Sequence, residues 1–427
     1  MRNVRCSCAI TYAYGRARRQ VERENINCFQ YPTYSSPFSS LSQRFPTPAY
    51  SATMSYLLTN CTIYSGTTVL HDHAVLIKGS HVAAIVPEVA AHADIDRVDG
   101  RGCNVSPGFI DLQIYGGGGA LFSVDPTVES LQKLQAYVRR HGTTSFQATM
   151  PTNSPEMMRE ALQAGHDYQQ AGYPSLLGIH LEGPYINPVK KGAHQEEFIQ
   201  QPATDAVAEL LTIGKGALRM MTLAPEVTTP EIVALLRRAG VVLSAGHSNA
   251  TYAQGAAAFK GGFTTATHLF NAMSALESRA PGLVGAIYDA DSAHASIIAD
   301  GVHCDFAAVR ISHKMLGKRL FLITDAVEAG THGAYRFRRA ENRFVDENGT
   351  LAGSALSMMD AVRNCVQEVR LPLEEALRMA TLYPAQVLAL DDELGLIQPG
   401  YRADLCLFNA DYEVQGTVLA GELVWNG

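Results

Sequence analysis

The chain has 427 residues, of which 47% are hydrophobic and 18% are charged, and its formal net charge is -7 at pH 7. This length is sufficient for one large hydrophobic core and a smaller second one. The negative balance excludes a protein that binds nucleic acid through a broad basic face, so any anionic ligand must be recognised locally.

The first 53 residues differ in composition from the rest of the chain. They contain seven arginines, no lysine and only two acidic residues, Glu22 and Glu24, and they show no apolar periodicity. This composition predicts that residues 1–53 are a disordered extension, or a leader outside the native protein with translation beginning at Met54. An organelle transit segment is the alternative, although the stretch lacks a convincing amphipathic helix.

Both ends of the remaining chain have the pattern of short β-strands. Near the start, two apolar runs flank a Gly-Ser turn at Gly79 and Ser80, which indicates a hairpin. The last segment, from about residue 400, has the same character. We expect the two ends to come together as one small β-domain.

Strands and helices alternate through the middle of the chain. Two helical stretches, VESLQKLQAYVRRHG and PEIVALLRRAG, end in a glycine that fits a helix C-cap. Eightfold alternation predicts a closed parallel (β/α)8 barrel of the TIM type, with an open doubly wound sheet as the alternative. The candidate strands are residues 108–114, 144–150, 176–182, 218–224, 241–247, 263–268, 295–300 and 319–325.

Four residues that can bind a metal or transfer a proton stand at the ends of candidate strands. Glu182 ends the third strand, His247 the fifth, His268 the sixth and Asp325 the eighth. Because the carboxyl ends of barrel strands form one rim, we expect these side chains to lie close together. The glutamate and the two histidines are predicted to bind a divalent ion and to leave one coordination position open, as in catalytic sites. For either histidine alone, a structural hydrogen-bonding role is the alternative.

Asp325 and His303 are predicted to act on the reacting groups. Asp325 can take a proton from water and pass it to a leaving nitrogen. A helix N-cap is its alternative role, which the glycine-rich residues after it disfavour. His303 follows the seventh strand, where an imidazole can polarise a carbonyl oxygen.

Loops after the third and sixth strands supply candidate substrate contacts. Arg279 lies in a loop bounded by proline and glycine, which suits bidentate contact with a phosphate. Asn271 and the amide of Ala272 precede it. His194, in the loop after the third strand, is placed to bond to a sugar hydroxyl.

A series of long motifs resembles the N-acetylglucosamine-6-phosphate deacetylase family of the amidohydrolase superfamily. The resemblance runs from about Met54 to the C-terminus. An ordered set of motifs is far more specific than any one of them. The motifs are PGFIDLQIYGGGG, GIHLEGPYINPVKKGAH, TLAPE, SAGHSNA, THLFNAM, PGLVGA, IADGVH, ITDA, ENGTLAGSALSM and MATLYPA.

This resemblance implies a TIM-like (β/α)8 barrel of residues 107–399 and a small β-sandwich domain made of residues 54–106 and 400–427. It implies a metal site of Glu182, His247 and His268 with Asp325 as the catalytic aspartate, and His303 polarising the acetyl carbonyl. Arg279 matches the phosphate-binding arginine of the family, which reaches the site of a partner subunit, so the resemblance also implies a homodimer. The residues implied to hold the sugar phosphate are Ala193, His194, Asn271, Ala272, Arg279, His303, Leu351, Ala352 and Gly353.

The first barrel strand bears on the number of metal ions. Many amidohydrolases carry two histidines there for a second ion, whereas this chain has Gln113, Ile114 and Tyr115. Glutamine is a poor zinc ligand, so we expect one divalent ion per subunit, Zn²⁺ first, with Fe²⁺, Co²⁺ and Mn²⁺ as alternatives.

The resemblance implies hydrolysis of the acetamide of N-acetylglucosamine 6-phosphate to glucosamine 6-phosphate and acetate, in amino-sugar catabolism. N-acetylgalactosamine 6-phosphate is the alternative substrate, and a catalytically silent scaffold is the alternative function. The Arg279 loop disfavours a cyclic amide such as dihydroorotate. Eight scattered cysteines and no apolar stretch near 18 residues predict a cytoplasmic protein with neither membrane nor nucleic acid as a partner.

Overall fold

The computed structural model describes residues 54–90, 94–341 and 343–426, and the predictions made for residues 1–53 lie outside the described residues. Eight parallel strands in chain order make the central sheet. They are β1 (Phe109–Ile114), β2 (Thr143–Pro151), β3 (Leu176–Glu182), β4 (Leu218–Leu223), β5 (Val242–Ala245), β6 (Thr265–Ala266), β7 (His294–Ile297) and β8 (Leu320–Leu322).

The sheet closes between β8 and β1 just beyond the end of β8. Ile114 and Ala326 form a parallel bridge. The backbone N–H of Asp325 donates to the Gln113 carbonyl at 2.9 Å, and the N–H of Tyr115 donates to the Ala326 carbonyl at 2.8 Å. The (β/α)8 barrel predicted from the sequence is therefore confirmed, and the open doubly wound sheet is excluded.

Helices cover the outside of the barrel, one between each pair of consecutive strands and three after β8. Two of them begin with a proline after a capping residue, since Ser154 accepts from Met157 N and Thr229 accepts from Ile232 N. The two helices predicted to end at a glycine are followed by glycines with φ of 87° and 77°, as a C-cap requires. The helices are Val128–Arg140, Pro155–Gln170, Thr204–Gly214, Pro230–Arg238, Tyr252–Gly261, Gly282–Asp289, Phe306–Leu316, Met358–Gln367, Leu373–Ala380 and Leu382–Val387.

Several of the predicted strands end earlier than expected, including β4 at Leu223 and β7 at Ile297, and for three of them the backbone shows the reason. β5, β6 and β8 stop at Ala245, Ala266 and Leu322, two or three residues before the residues with which their predictions ended. The cause is the backbone, because His247, His268 and Asp325 have φ of 48°, 35° and 54°. Residues other than glycine rarely adopt this left-handed conformation, and a residue that does so ends the extended strand.

Strands from both ends of the described chain pair in one small β-sandwich, as predicted. Its apolar core includes Leu58, Ile63 and Val105 from the first end and Leu405 and Val418 from the second. One sheet contains Ser55–Thr59, His73–Lys78, His81–Pro87 and Asp96–Asp99; the other contains Thr62–Tyr64, Val69–Leu70, Asn104–Pro107, Leu405–Phe408, Val414–Leu419 and Glu422–Trp425.

A further antiparallel sheet follows β8, and the sequence pattern did not predict it. It consists of Arg338–Ala340, Arg343–Val345 and Leu351–Ser354, and we call it the rim sheet. Ser354 bridges Ala326 at the closure of the barrel, so the rim sheet is attached at the carboxyl end of β8. Among the described residues, no helix is both long enough and apolar enough to cross a membrane.

Candidate active site

Glu182 is at the centre of the candidate site. It is the last residue of β3 and is only 2% exposed. Its Oε1 atom lies 3.0 Å from His268 Nε2 and 3.2 Å from His247 Nε2, and it accepts a hydrogen bond from Gln113 Nε2 at 2.9 Å. The structure thus brings together the glutamate and the two histidines that the sequence predicted as metal ligands.

The three donor atoms of this set are spaced as a metal site requires. The two histidine Nε2 atoms are 3.1 Å apart, so with Oε1 of Glu182 they form a triangle with edges of 3.0, 3.1 and 3.2 Å. Donor atoms of a tetrahedral zinc site, with bonds of about 2.0–2.1 Å, are about 3.3 Å apart. The residues therefore fit a divalent ion.

The second oxygen of Glu182 is held by different groups. Tyr115 donates its hydroxyl to Oε2 at 2.5 Å, and His194 Nε2 lies 2.9 Å from the same atom. Burial raises the pKa of Tyr115 well above its ordinary value, and the nearby carboxylates add to this effect. Its hydroxyl therefore keeps its proton and acts as a donor.

Two of the three histidines near Glu182 can be assigned a proton by the partner of their other nitrogen. His247 Nδ1 lies 2.9 Å from the Lys190 carbonyl, to which it must donate, so its Nε2 carries a lone pair. His194 Nδ1 instead accepts from the backbone N–H of Thr152 at 3.2 Å. In the neutral ring this places the proton on His194 Nε2, which can donate to Glu182 but cannot bind a metal.

His194 nevertheless belongs to the same polar cluster. One donor atom from each of Glu182, His194 and His247 lies within 4.8 Å of the others, so by distance alone His194 competes with His268 as the third ligand. Among the described residues, His268 Nδ1 has no hydrogen-bond partner. Nothing therefore forces the proton onto its Nε2, and His268 remains able to coordinate.

Asp325 and Glu182 have opposite ionisation tendencies. Burial raises the pKa of Asp325 well above its ordinary value, the charges of Glu182 and Asp111 add to this, and His268 opposes it. Burial also opposes ionisation of Glu182, but His247 and His194 hold its pKa well below the usual range. Two carboxyl groups whose pKa values are driven apart are typical of a pair in which one binds charge and the other moves a proton.

Gln113 connects these two acids. Its Nε2 lies 2.9 Å from Oε1 of Glu182 and 2.9 Å from Oδ1 of Asp325. Among the described residues, Oδ2 of Asp325 has no hydrogen-bond partner. The amide therefore fixes one oxygen of Asp325 and leaves the other available for proton transfer.

His303 is oriented by Asp300, a residue that sequence reasoning missed. His303 Nδ1 lies 2.6 Å from Asp300 Oδ2, and the backbone N–H of His303 donates to Oδ1 at 2.8 Å. The His303 side chain is only 6% exposed. Burial opposes ionisation of Asp300, yet these bonds and the His303 charge lower its pKa. The three-residue separation of an aspartate and a histidine after a strand was the signal available in the sequence.

The loop after β6 holds its predicted residues in different environments. Asn271 Nδ2 donates to the carbonyls of His268 and Leu269, each at 3.3 Å. Ala272 has φ of 50° and accepts from Ser248 N at 3.0 Å. Arg279 is exposed, and its guanidinium has no hydrogen-bond or ion-pair partner within the described parts of the chain. The structure thus shows no contact between Arg279 and the proposed metal ligands Glu182, His247 and His268.

The predicted contacts at residues 351–353 are on the last strand of the rim sheet. A Cβ atom on Gly353 would lie 2.9 Å from the Asp325 carbonyl oxygen and 2.6 Å from a methyl carbon of Val327. The backbone N–H of Ser354 donates to the Asp325 carbonyl at 3.0 Å. Leu351, Ala352 and Gly353 therefore belong to the strand that lies against the Asp325 turn.

Comparison with known proteins places this architecture in a family. The model of the amidohydrolase family matches residues 104–424, and the model of the NagA composite domain matches residues 55–105. The chain belongs to the amidohydrolase family, whose members depend on metal ions. The hydrolase class predicted from the sequence is confirmed.

Within that family the chain is similar to deacetylases of phosphorylated amino sugars. It is 38% identical to N-acetylglucosamine-6-phosphate deacetylase of Haemophilus influenzae, over 86% of this chain and 99% of the relative. It is 35% identical to N-acetylgalactosamine-6-phosphate deacetylase of a Shewanella species, over 74% of this chain and 82% of the relative. A solved mutant N-acetyl-D-glucosamine-6-phosphate deacetylase of Mycobacterium smegmatis, in complex with N-acetyl-D-glucosamine-6-phosphate, has a TM-score of 0.81 and 33% identity, over 87% of this chain and all of that one. The resemblance inferred from the motifs is confirmed.

Proposed function

We propose that the protein hydrolyses the acetamide of N-acetylglucosamine 6-phosphate and releases glucosamine 6-phosphate and acetate. The observation that carries the proposal is the triangle of donor atoms from Glu182, His247 and His268, with edges of 3.0 to 3.2 Å, next to the buried Asp325. Identity of 38% with a deacetylase of that name supports the choice of substrate.

The metal site is proposed to hold one divalent ion per subunit through Glu182, His247 and His268. His268 is preferred to His194 as the third ligand because His194 Nδ1 accepts from Thr152 N, which leaves a proton on Nε2. One glutamate and two histidines suit Zn²⁺, with Fe²⁺, Co²⁺ and Mn²⁺ as alternatives. When bound, such an ion supplies Lewis acidity, which polarises the acetyl carbonyl and makes water a better nucleophile.

Asp325 is proposed to move the proton during the reaction. With Oδ1 fixed by Gln113, Oδ2 takes a proton from the attacking water. The raised pKa of Asp325 favours holding that proton until it is passed to the amine nitrogen as the C–N bond breaks. The same carboxyl group thus acts first as the base and then as the acid.

His303 is proposed to bind the acetyl carbonyl oxygen from the side opposite the proposed metal site. Its Nδ1 is committed to Asp300, so Nε2 is the ring atom available to the substrate. A proton on Nε2 would donate to the oxygen as negative charge develops there, and the Asp300 carboxylate would compensate the positive charge on the ring.

Binding of the sugar phosphate is proposed for residues in three loops. Both ring nitrogens of His194 already have partners inside the protein, so we assign it to holding Glu182 in addition to any sugar contact. Arg279, exposed and without a partner within the described chain, is proposed to bind the phosphate in the site of a second subunit of a homodimer. The other proposed contacts are Ala193, Asn271, Ala272, Leu351, Ala352 and Gly353.

The division of the chain is also part of the proposal. Residues 54–106 and 400–427 would form the sandwich domain, and residues 107–399 would form the barrel. A cytoplasmic location remains a prediction from the cysteine usage.

The decisive experiment measures acetate release from phosphorylated and unphosphorylated N-acetylhexosamines before and after chelation. We expect chelator-sensitive release from N-acetylglucosamine 6-phosphate and little from the unphosphorylated sugar. The Asp325→Asn variant provides the control, because it should lose turnover while it keeps its metal. Absence of chelator-sensitive release from every substrate would contradict the deacetylase function.

The galacto epimer is the second candidate substrate. It is favoured by the 35% identity to N-acetylgalactosamine-6-phosphate deacetylase. The ratio of kcat/KM for the two sugar phosphates decides between them, and a ratio below one for the gluco epimer would reverse the assignment.

A further inference from the structure

Tyr115 is the residue of the candidate site for which neither the metal set nor the reaction provides a role. It follows β1, is 6% exposed and donates its hydroxyl to Oε2 of Glu182 at 2.5 Å. We infer that Tyr115 is a positioning residue that turns the Glu182 carboxylate so that Oε1 faces His247 and His268. This inference rests on the proposed metal-dependent function.

The argument begins with the two oxygens of the carboxylate. Only Oε1 belongs to the triangle of donor atoms, whereas Oε2 is engaged by the Tyr115 hydroxyl and His194 Nε2. A carboxylate held at one oxygen cannot rotate to present both oxygens to an ion. The hydroxyl thereby favours coordination through one oxygen and removes Oε2 as a ligand for a further ion.

Gln113 fixes the hydroxyl in turn. Its Nε2 lies 2.8 Å from the Tyr115 oxygen, which accepts from the amide while it donates its own proton to Glu182. The same Nε2 lies 2.9 Å from Oε1 of Glu182 and from Oδ1 of Asp325, so its two N–H groups are shared among three oxygens. The orientation of Glu182 and that of Asp325 are therefore set by one hydrogen-bonded group.

The ring of Tyr115 packs against residues that precede the rim sheet and one that lies within it. It packs in a cluster with Val327, Tyr335, Phe337 and Phe344. Tyr335 also donates to the Thr152 carbonyl, and the Thr152 hydroxyl donates to the Glu182 carbonyl at 3.2 Å. The backbone and the carboxylate of Glu182 are thus both supported from this cluster, and a fixed ring delivers its hydroxyl to a fixed point.

The first test is metal affinity, measured without substrate. Zn²⁺ binding to purified full-length wild-type protein and to Tyr115→Phe would be followed by competition with a chromophoric chelator. Groups that orient a metal ligand are worth about ten- to a hundredfold in affinity, so we expect a loss of that size. Tyr56→Phe is the matched control, because Tyr56 is also buried and donates to a backbone carbonyl, in the sandwich. Its Zn²⁺ affinity should equal that of the wild type.

A second measurement separates positioning from a general effect on the fold. With Co²⁺ in place of Zn²⁺, the absorption spectrum of Tyr115→Phe should differ from that of the wild type, since the ligand geometry changes. Its kcat should fall while KM for the sugar phosphate stays within about twofold. Gln113→Met serves as a second variant that retains the tyrosine but removes the amide that contacts Tyr115, Glu182 and Asp325. Its loss of Zn²⁺ affinity is expected to be at least as large as that of Tyr115→Phe.

The outcomes distinguish this inference from the proposed function. If the wild-type protein bound no divalent ion, the metal-dependent function and the inference would both fail. If the wild type bound Zn²⁺ and Tyr115→Phe bound it equally well with an unchanged Co²⁺ spectrum, the role of Tyr115 would be overturned and the function would stand, whatever the result for Gln113→Met.

Discussion

The Nδ1 atom of His303 and the Oδ2 atom of Asp300 are 2.6 Å apart, and both side chains are almost fully buried. The pair has the arrangement in which a carboxylate orients an imidazole and compensates its charge. The position of Asp300 three residues before His303 means that both side chains of the pair are supplied by one short turn after β7.

Asp300→Asn should therefore reduce kcat without loss of the metal. The amide keeps the shape of the carboxylate but cannot stabilise positive charge on His303 as the acetyl oxygen becomes negative. We expect kcat to fall at least about a hundredfold, with the metal content at the wild-type level by elemental analysis. A kcat within threefold of wild type would refute the role of Asp300.

The third metal ligand can be identified by a pair of variants. His268→Asn should lose most of its bound metal after dialysis, because it removes a donor from the triangle. His194→Asn should retain close to one ion per subunit, with affinity lower by about ten- to a hundredfold, because His194 acts through Glu182. The reverse pattern of metal content would make His194 the ligand.

Arg279 provides a test of both phosphate binding and subunit sharing. Arg279→Ala should raise KM for the sugar phosphate and leave the slow turnover of the unphosphorylated sugar unchanged, since only the phosphate contact is lost. The contact is predicted to cross the subunit interface.

Mixed subunits reveal whether the arginine acts on its own site. In a heterodimer of Arg279→Ala and Asp325→Asn chains, one site would combine an intact Asp325 with an intact partner arginine. Activity should then reach up to half that of the wild type at low substrate concentration. If each arginine served its own subunit, the mixture would stay as inactive as the separate variants.

A partly buried polar cluster outside the metal site should contribute to acid stability. Glu375 accepts hydrogen bonds from His313 at 2.9 Å, Arg378 at 2.7 Å and Tyr383 at 3.0 Å. Burial opposes its ionisation, yet these bonds lower its pKa from 4.5 to about 2. A carboxyl group with a depressed folded-state pKa stabilises the fold above its unfolded pKa and loses that contribution as pH falls toward about 2.

Glu375→Gln should consequently lower the free energy of unfolding near pH 7 by about 2 kcal/mol, given about 1.4 kcal/mol per pKa unit and partial solvent screening. The difference from wild type should shrink as pH falls below 4.5. Urea denaturation of metal-free wild type and variant between pH 7 and pH 3 measures this, since loss of metal at low pH then plays no part and the contribution of the metal ligands cancels in the difference. A difference that stayed constant with pH would exclude the ionic origin.

The sequence predicted the barrel and the members of its rim because both depend on local pattern. Each strand is a short apolar run, and a functional residue such as Glu182 interrupts that run where the strand ends. β3 was predicted at its observed bounds. β6, with two residues, was predicted too long because periodicity does not show that His268 leaves the strand in a left-handed conformation.

The sequence could not predict the hydrogen-bond partner of each side-chain atom in the site. The proton is on Nε2 of His194 because Thr152 N donates to its Nδ1, and on Nδ1 of His247 because that atom donates to the Lys190 carbonyl. Thr152 and His194 are 42 residues apart in the chain. The rim sheet was missed because its strands have only three or four residues and the first two carry exposed arginines. Long-range pairing, not local propensity, determines these features.

The closure of the barrel passes directly through the Asp325 turn. The Asp325 N–H bonds to β1, and its carbonyl receives the N–H of Ser354 from the rim sheet. Until β8 and β1 have paired, Asp325 is therefore not held in place, so the reaction centre cannot be complete before the barrel has closed. Partly folded chains should be inert rather than weakly active, and slow amide exchange at Asp325 would appear together with the first turnover.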